Sequence, residues 1–307
     1  MENASMDGLR MGWMKVKTLG KGSYGVVHLV KPTNPSFDHQ LYAFKTCLYR
    51  DSSSLQKELE ILSRFRGCPN IVQCYGDMLG FNKGLRVYNL VMEYAPGGNL
   101  LDLIKKYGGK IPERDATCYA RMLVEGLRNI HMQGYVHCDF KPDNILVYPP
   151  ASSGFTMSTL KIADFGLARQ QGEIIDVPMV EPWHPRFPGT PIYMPPEGID
   201  AEEVNAPLDI WSLGCALLVM LTGKFPWNYK DSIDLASQLS MWGNSPTIPE
   251  NISIEGKDFL SKCFARNPKE RWTAEMLLGH PFLLPDHLIH CCRNAPLFGE
   301  LPSTLCT

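Results

Sequence analysis

Hydrophobic and polar positions follow two different patterns along the chain. Before residue 95, apolar residues fall in short β-rich runs separated by Gly and Pro clusters, and one stretch over residues 54–66 has helical spacing. After residue 100, apolar runs with helical spacing dominate, as at residues 120–130 and 210–221. The pattern predicts a small strand-rich unit followed by a larger, mainly helical unit. The expected strands lie at residues 26–30, 41–46 and 85–94.

A short Gly/Pro segment, Ala95-Pro96-Gly97-Gly98, separates the two units. We predict an N-terminal extension over residues 1–12, a small unit over 13–94, a large unit over 95–284 and a C-terminal tail over 285–307. The tail could dock a partner, although a loose or packed extension is the simpler interpretation.

Net charge and cysteine spacing exclude several classes of protein. The 307 residues include 30 Lys and Arg against 32 Asp and Glu, so no broad basic field for nucleic acid is expected. The ten cysteines have no C-x-x-C spacing, so we expect reduced thiols in the cytosol or nucleus. The start of the chain lacks signal-peptide features, and the apolar run at 210–221 is shorter than the roughly 20 residues of a membrane span. We expect a soluble protein, and no pattern indicates its oligomeric state.

A glycine-rich segment precedes the first predicted strand. Gly20, Gly22 and Gly25 form a G-x-G-x-x-G pattern, and glycine lets backbone N–H groups approach phosphate oxygens without a side chain in the way. The same spacing occurs in dinucleotide-binding sites, where a helix follows directly. Here residues 26–30 have the pattern of a strand, which argues against that alternative. Taken alone, the segment is also compatible with a plain glycine-rich hairpin.

A lysine inside an apolar strand requires an anionic partner. Lys45 follows Tyr42-Ala43-Phe44, and a buried ammonium is costly unless a carboxylate or phosphate meets it. The next predicted helix offers Glu58 and Glu60. Glu58 has apolar residues on its own helical face, whereas Glu60 has basic and polar neighbours. We therefore predict that Glu58 faces inward as the partner of Lys45 and that Glu60 faces solvent.

Two polar motifs follow apolar elements in the large unit. The first, His-Cys-Asp-Phe-Lys-Pro-Asp-Asn, contains Asp139, Lys141 and Asn144, and the second, Ala-Asp-Phe-Gly, contains Asp164. An Asp can accept the proton of an attacking hydroxyl, and a nearby Lys can neutralise a transferred phosphoryl group. Carboxylate and amide oxygens are ligands that magnesium favours. Each motif by itself is also compatible with a simple turn.

Together and in this order, the glycine-rich loop, strand lysine, inward glutamate, D-x-K-x-x-N and D-F-G motifs resemble the protein kinase family. The resemblance covers about residues 13–284. It implies an α+β, two-lobed fold, with a small β-rich N-lobe that carries one key helix and a larger, mainly helical C-lobe. It also implies ATP and Mg²⁺ as cofactors. Lys141, two residues after Asp139, is typical of the serine/threonine class.

The resemblance further implies roles for individual residues. The catalytic set is Asp139, Lys141, Lys45 and Glu58. Asn144 and Asp164 would hold the metal, and Thr190 would lie in the substrate segment. Glu93 and Ala95 would supply the hinge contacts to adenine, beside Met92. The ATP-binding set is Leu19, Gly20, Lys21, Gly22, Ser23, Tyr24, Gly25, Val27, Ala43, Lys45, Glu93, Ala95 and Leu146.

Further matches are structural or point to a subgroup. Glu197 would pair with Arg271, and Asp209 would support the catalytic loop. Gly-Gly-Asn-Leu at residues 97–100, the Asp139 loop and Gly-Thr-Pro-Ile-Tyr-Met at 189–194 most resemble plant mitogen-activated protein kinase kinase kinases. This likeness implies a mitogen-activated protein kinase kinase as the protein substrate.

One position departs from the common kinase pattern. Cys138 stands where many kinases have an Arg that binds a phosphate on the activation segment, a pairing that cysteine cannot make. Thr190 is the only Ser or Thr between Asp164 and Glu197. We therefore expect activity that does not need phosphorylation of this segment. Oxidation sensing by Cys138 and metal binding by His184 are less favoured alternatives.

Two other functions share this type of fold. A pseudokinase scaffold usually lacks a chemical residue, whereas the Lys, Glu, Asn and two Asp residues of the template are all present. A small-molecule phosphotransferase would share the Asp164 motif, but the Thr190 region, Glu197 and Arg271 fit a protein substrate better.

Overall fold

A five-stranded antiparallel sheet forms the N-terminal part of the protein. The computed structural model describes residues 12–22, 24–34, 36, 40–150, 157–174, 189–198, 203–241 and 244–284. The sheet consists of β1 (Trp13–Gly22), β2 (Gly25–Pro32), β3 (Tyr42–Leu48), β4 (Cys74–Asn82) and β5 (Leu85–Glu93). Their order across the sheet is β1-β2-β3-β5-β4. The three predicted strands are confirmed as β2, β3 and β5, whereas β1 and β4 were not predicted.

Burial explains why some of these strands were easier to predict than others. Strand β5 lies between β3 and β4, and all residues from Val87 to Met92 are buried, as expected of a strand covered on both faces. Strand β4 is at the edge and exposes Leu79 and Phe81. It also contains Gly76 and Gly80, which weaken a strand pattern.

Helix α1 (Ser53–Ser63) packs against β4 and β5. Glu58 is buried in this helix and Glu60 is exposed, which confirms the predicted orientation of both side chains. The helix was predicted to end at residue 66, which was wrong, because it ends at Ser63. Beyond Ser63 the chain tightens, because the N–H groups of Arg64 and Phe65 bond to carbonyl groups three residues earlier, at 3.1 and 3.0 Å.

Helices form most of the C-terminal part. They are α2 (Leu100–Lys106), α3 (Glu113–Met132), α4 (Pro207–Thr222), α5 (Ser232–Ser240), α6 (Ile254–Cys263) and α7 (Ala274–Leu278). Two small sheets join β6 (Tyr135–Val136) to β9 (Arg169–Gln170) and β7 (Ile145–Tyr148) to β8 (Thr159–Ile162). Every residue of α4 from Leu208 to Leu221 is buried, so this helix forms the centre of the lobe. Across the described residues, no helix is long and apolar enough to cross a membrane.

The segment between the two lobes is held against strand β7. The N–H of Gly97 donates to the carbonyl of Val147 at 3.0 Å, and the N–H of Val147 donates to the carbonyl of Gly98 at 2.9 Å. At the end of β5, the Glu93 carboxylate binds the Lys161 ammonium of β8 at 2.8 Å. These contacts fix the hinge at the back of an open cleft between a β-rich lobe and a helical lobe, which is the predicted fold.

Candidate active site

A cleft of about 1170 Å³ lies between the lobes and beneath the turn that joins β1 to β2. The residues predicted to bind ATP line it, except Ser23, which lies outside the described residues. The predicted catalytic, metal-binding and substrate-segment residues line it as well. Further lining residues were not predicted, among them Lys17, Val72, Asp102, Lys106 and Ala163. Of these, only Ala163 carried a local signal, since it directly precedes Asp164 in the D-F-G motif.

The glycine-rich segment is a turn between two strands. Gly22 pairs with Gly25 across the turn, so a strand follows the segment and the dinucleotide-binding alternative is wrong. Gly25 has φ +143°, and a Cβ there would collide with the carbonyl oxygen of Thr46. The ring of Tyr24 lies close to Gly166, where an added Cβ would come within 3.1 Å of Tyr24 Cδ2. The glycine-rich turn is thus in contact with the D-F-G motif.

Lys45 joins the two lobes through two carboxylates. Its Nζ lies 2.6 Å from Glu58 Oε2 and 2.8 Å from Asp164 Oδ1. Burial alone would lower the pKa of Lys45, but the two carboxylates outweigh it and raise that pKa. Burial alone would raise the pKa of Asp164, but the Lys45 ammonium holds it below its usual value. The predicted Lys45–Glu58 pair is therefore present, and Lys45 carries its charge toward the cleft.

The D-F-G segment is locked by contacts to both lobes. The N–H of Phe165 donates to Glu58 Oε1 at 3.2 Å, so one carboxylate holds both Lys45 and this segment. The Phe165 ring is fully buried and packs against His137, with ring centroids 5.0 Å apart. Asp164 has φ +64°, a left-handed conformation that directs a sharp turn. This backbone holds the Asp164 carboxylate at the wall of the cleft.

Asp139 is the centre of a second polar group. Its Oδ2 lies 2.7 Å from Lys141 Nζ and accepts a hydrogen bond from Asn144 Nδ2 at 3.1 Å. Its Oδ1 accepts from Thr190 Oγ1 at 2.7 Å. Lys141 Nζ also donates to Thr190 Oγ1 at 2.6 Å. A hydroxyl from a separate chain segment already meets Asp139, which is the contact that a substrate hydroxyl needs for proton transfer.

Helix α4 holds the backbone of the Asp139 loop through Asp209. The buried carboxylate of Asp209 accepts from the backbone N–H groups of His137, at 2.8 Å, and Cys138, at 3.0 Å. His131 Nε2 lies 2.9 Å from the same carboxylate. Gly189 has φ +140°, and a Cβ there would come within 2.6 Å of the Cys138 carbonyl oxygen. The predicted support by Asp209 is therefore present, and the Thr190 segment packs directly on this loop.

An ion pair between a buried arginine and a partly buried glutamate holds the end of the substrate segment. Arg271 Nη1 lies 2.6 Å from Glu197 Oε1, and Nη2 donates to Oε2 at 3.2 Å. Arg271 also donates to the carbonyls of Ala265 and Pro207, at 3.1 and 2.8 Å. The predicted Glu197–Arg271 pair is thus present and joins the segment to the core of the lobe.

The oxygen atoms near the cleft suit a magnesium ion. Asp164 and Asn144 line the same cavity, and Asn144 uses Nδ2 to donate to Asp139, which leaves Oδ1 as the amide atom able to bind a cation. In the part of the chain that the structure describes, no group of three His, Cys, Asp or Glu could hold a metal. Two oxygen ligands fit magnesium, which takes further ligands from substrate phosphates and water.

Cys138 has the environment of a packed thiol rather than of a redox sensor. Burial raises the pKa of Cys138 well above its usual value, and nearby Asp209 raises it further. A neutral thiol reacts slowly with oxidants, so the oxidation-sensor alternative is not favoured. The metal-binding alternative at His184 lies outside the described residues, as do any role of the tail over residues 285–307 and the N-terminal extension before residue 12.

The fold and this site define a protein kinase. A family model described as "Protein kinase domain" matches residues 13–283, and the chain belongs to that family. The chain is a serine/threonine protein kinase that uses ATP.

Its relatives point to one branch of the family. Mitogen-activated protein kinase kinase kinase 20 of Arabidopsis thaliana is 38% identical over 283 residues, which span 90% of this chain and 79% of the relative. Mitogen-activated protein kinase kinase kinases 18 and 17 of the same plant are each 34% identical. The alignment with kinase kinase kinase 18 covers 93% of this chain and 82% of the relative. The alignment with kinase kinase kinase 17 covers 89% of this chain and 70% of the relative. The chain is therefore similar to plant kinases of the class that the sequence motifs indicated.

Proposed function

We propose that this kinase is a mitogen-activated protein kinase kinase kinase, which phosphorylates Ser or Thr of a mitogen-activated protein kinase kinase in a signalling cascade. The similarity to the kinase kinase kinase 20 of Arabidopsis, over nine tenths of this chain, carries the proposal. The complete set of polar contacts around Asp139 and Lys45 supports it, because a scaffold would not need them.

The geometry supports a role for each polar group in an in-line transfer. Asp139 would orient the substrate hydroxyl and take its proton, at the position where Thr190 Oγ1 now donates at 2.7 Å. Lys141, 2.7 Å from Asp139, would offset negative charge on the transferred phosphoryl group. Lys45, held by Glu58, would bind the α- and β-phosphates of ATP. Glu93 and Ala95, at the back of the cleft, would contact the adenine through their backbone groups.

Asn144 and Asp164 would hold magnesium, which would offset the negative charge of the phosphates when bound. Val27, Ala43 and Leu146 would enclose the adenine with apolar surface, since all three line the cleft above and below the hinge. No covalent intermediate with the enzyme is required, because the acceptor hydroxyl attacks the phosphoryl group directly.

The test is phosphorylation of a panel of purified mitogen-activated protein kinase kinases, with the modified residues mapped by mass spectrometry. We expect modification of Ser or Thr in the activation segment of at least one member. An Asp139→Asn variant of this kinase serves as the control for contaminating activity. Activity on a generic basic protein without modification of any panel member would refute the cascade role and leave the kinase activity standing.

A further inference from the structure

A carboxylate lies beside Arg169 of strand β9, at the start of the activation segment that runs from Asp164 to Glu197. Arg169 Nη1 contacts Glu173 Oε1 at 2.6 Å. The second oxygen of Glu173 accepts a hydrogen bond from the backbone N–H of Gln170 at 3.2 Å. Burial alone would raise the pKa of Glu173, but Arg169, the Gln170 N–H and Lys57 of helix α1 hold it below its usual value. Glu173 therefore stays ionised and pairs with the Arg169 guanidinium.

The arginine of this pair is connected to the catalytic loop. Arg169 pairs with Val136 in the β6–β9 sheet, and Asp139 follows only three residues after Val136. The N–H of Gln171 donates to the carbonyl of Gly134 at 2.8 Å, which extends the same pairing. The position of β9 thus determines the position of the strand that leads into the Asp139 loop.

The backbone around Glu173 is paired on its other side as well. The N–H of Gly172 donates to the carbonyl of Val204 at 2.8 Å, and the N–H of Val204 donates to the carbonyl of Glu173 at 3.0 Å. Ile174 forms a bridge with Glu203. Glu173 therefore lies where the start of the activation segment joins the region that leads into helix α4.

Cys138 also lies close to this junction. It packs against an apolar cluster formed by Val136, Met194, Val204 and Leu208. The arginine that many kinases have at this position is thus replaced by a cysteine, which suits apolar neighbours. Arg169 is a cation close to this loop, and its anionic partner is Glu173 of the same chain.

We propose that Glu173 is a positioning residue whose carboxylate takes the place of an activation-segment phosphate. By engaging Arg169, it keeps β9 paired with β6 and so holds the Asp139 loop in its working arrangement. The sequence agrees with this role, because Thr190 is the only Ser or Thr between Asp164 and Glu197 and its hydroxyl already bonds to Asp139. The inference does not depend on the identity of the protein substrate.

The test compares Glu173→Gln with Glu125→Gln in the full chain, using a generic basic protein as the substrate. Glu125 forms an ion pair with Arg121 at the same i,i+4 spacing as the Arg169–Glu173 pair, with a similar side-chain exposure of 35% against 33%. We expect kcat to fall about tenfold for Glu173→Gln and to stay unchanged for the control. The KM for ATP should change less than about twofold, because Glu173 does not line the cleft.

Three further measurements separate positioning from a merely structural role. Formate or acetate should restore part of the activity of Glu173→Ala, relative to chloride at equal ionic strength, because a small anion can occupy the space beside Arg169. Arg169→Gln should reduce kcat by a similar factor, and the double variant should lose no more than either single variant. Phosphatase treatment should leave the activity of the wild-type kinase unchanged.

Full activity of Glu173→Gln would overturn the proposal. If that variant fails to fold, the phosphatase experiment decides alone. Loss of wild-type activity on dephosphorylation, traced to a phosphosite within residues 167–196, would show that a phosphate and not Glu173 supplies the anion. Retained activity of the fully dephosphorylated kinase, verified by mass spectrometry, would support the proposal.

Discussion

The two lobes carry opposite charge. Residues 13–94 contain 11 Lys and Arg against 6 Asp and Glu, whereas residues 95–284 contain 17 against 22. These two values cancel in the formal net charge of the whole chain, which is -2. The net charge excludes a uniform basic field, but it conceals a basic lobe that faces an acidic one.

The active site combines a buried cation of the basic lobe with two carboxylates of the acidic lobe. The N-lobe contributes the buried cation, Lys45, which suits the polyanionic phosphates of ATP. The C-lobe contributes Asp139, which can accept a proton, and Asp164, which can bind a divalent cation. The contact of 2.8 Å between Lys45 and Asp164 is where the two halves meet. The cation for the ATP phosphates and the carboxylates for the acceptor hydroxyl and the metal thus come from different lobes, so neither lobe can position ATP and the acceptor hydroxyl alone.

The largest effect is expected from the C-lobe carboxylate that faces Lys45. Asp164→Asn keeps the size of the side chain but removes its charge. We expect the kcat of phosphoryl transfer to fall by roughly 10³, because the carboxylate that would hold magnesium at the transferring phosphate is lost. A magnesium titration of the remaining activity should require a higher concentration than for the wild type. Activity within threefold of the wild type would contradict the division of roles between the lobes.

The N-lobe cation provides the second test. Lys45→Met should lower kcat by about 10², since the phosphates lose their cationic partner. It should also destabilise the fold, because it leaves the Glu58 carboxylate buried at 0% exposure without its ammonium. The double variant Lys45→Met/Glu58→Gln should therefore unfold at a higher urea concentration than the single variant, while staying equally inactive. A less stable double variant would mean that the pair is not coupled in this way.

An ion pair within the C-lobe separates stability from chemistry. Arg271→Met removes a side chain that is fully buried and bonded to Glu197, so the free energy of unfolding should fall by roughly 3 kcal/mol. ATP affinity should change little, because Arg271 is not among the residues that line the cleft. Urea unfolding and nucleotide titration measure these two quantities. Arg128→Met, which breaks an exposed pair with Glu275, is the control and should cost less than about 1 kcal/mol.

The smallest effect is expected at Glu60, two residues from Glu58 on the same helix. Its contact with Arg64 is long, at 3.7 Å, and both side chains are exposed. Glu60→Gln should leave kcat unchanged and alter stability by less than about 0.5 kcal/mol, whereas Glu58→Gln should reduce kcat strongly. Equal effects of the two substitutions, measured side by side, would contradict the assignment of the inward face.

Local pattern predicted much of this site because its key residues depend on their neighbours in the chain. Glu58 could be assigned from its helical face, and the strand context of Lys45 indicated a buried cation. The glycine-rich turn was recognisable because a strand, and not a helix, follows Gly25. The fold class followed from the same contrast between strand and helix spacing on the two sides of the hinge.

The contacts that local pattern could not predict join distant segments. Thr190 meets Asp139 across 51 residues, and Glu113 holds Ser253 across 140. Strand β9 has only two residues, which is too short to show any period, so the Arg169–Glu173 pair beside it was not anticipated. Edge strand β4 was missed because its exposed face carries apolar residues such as Leu79 and Phe81.

The most direct test of the account is the transfer of labelled phosphate from γ-labelled ATP to a generic basic protein by the purified kinase and its Asp139→Asn variant. Phosphoamino acid analysis of the product should detect phosphoserine or phosphothreonine with the wild type. The variant should bind ATP with unchanged affinity and lose at least about 10² of the transfer rate. An Asp139→Asn variant that transfers phosphate as fast as the wild type would contradict the central claim that this carboxylate, which lines the cleft between the two lobes, directs the reaction.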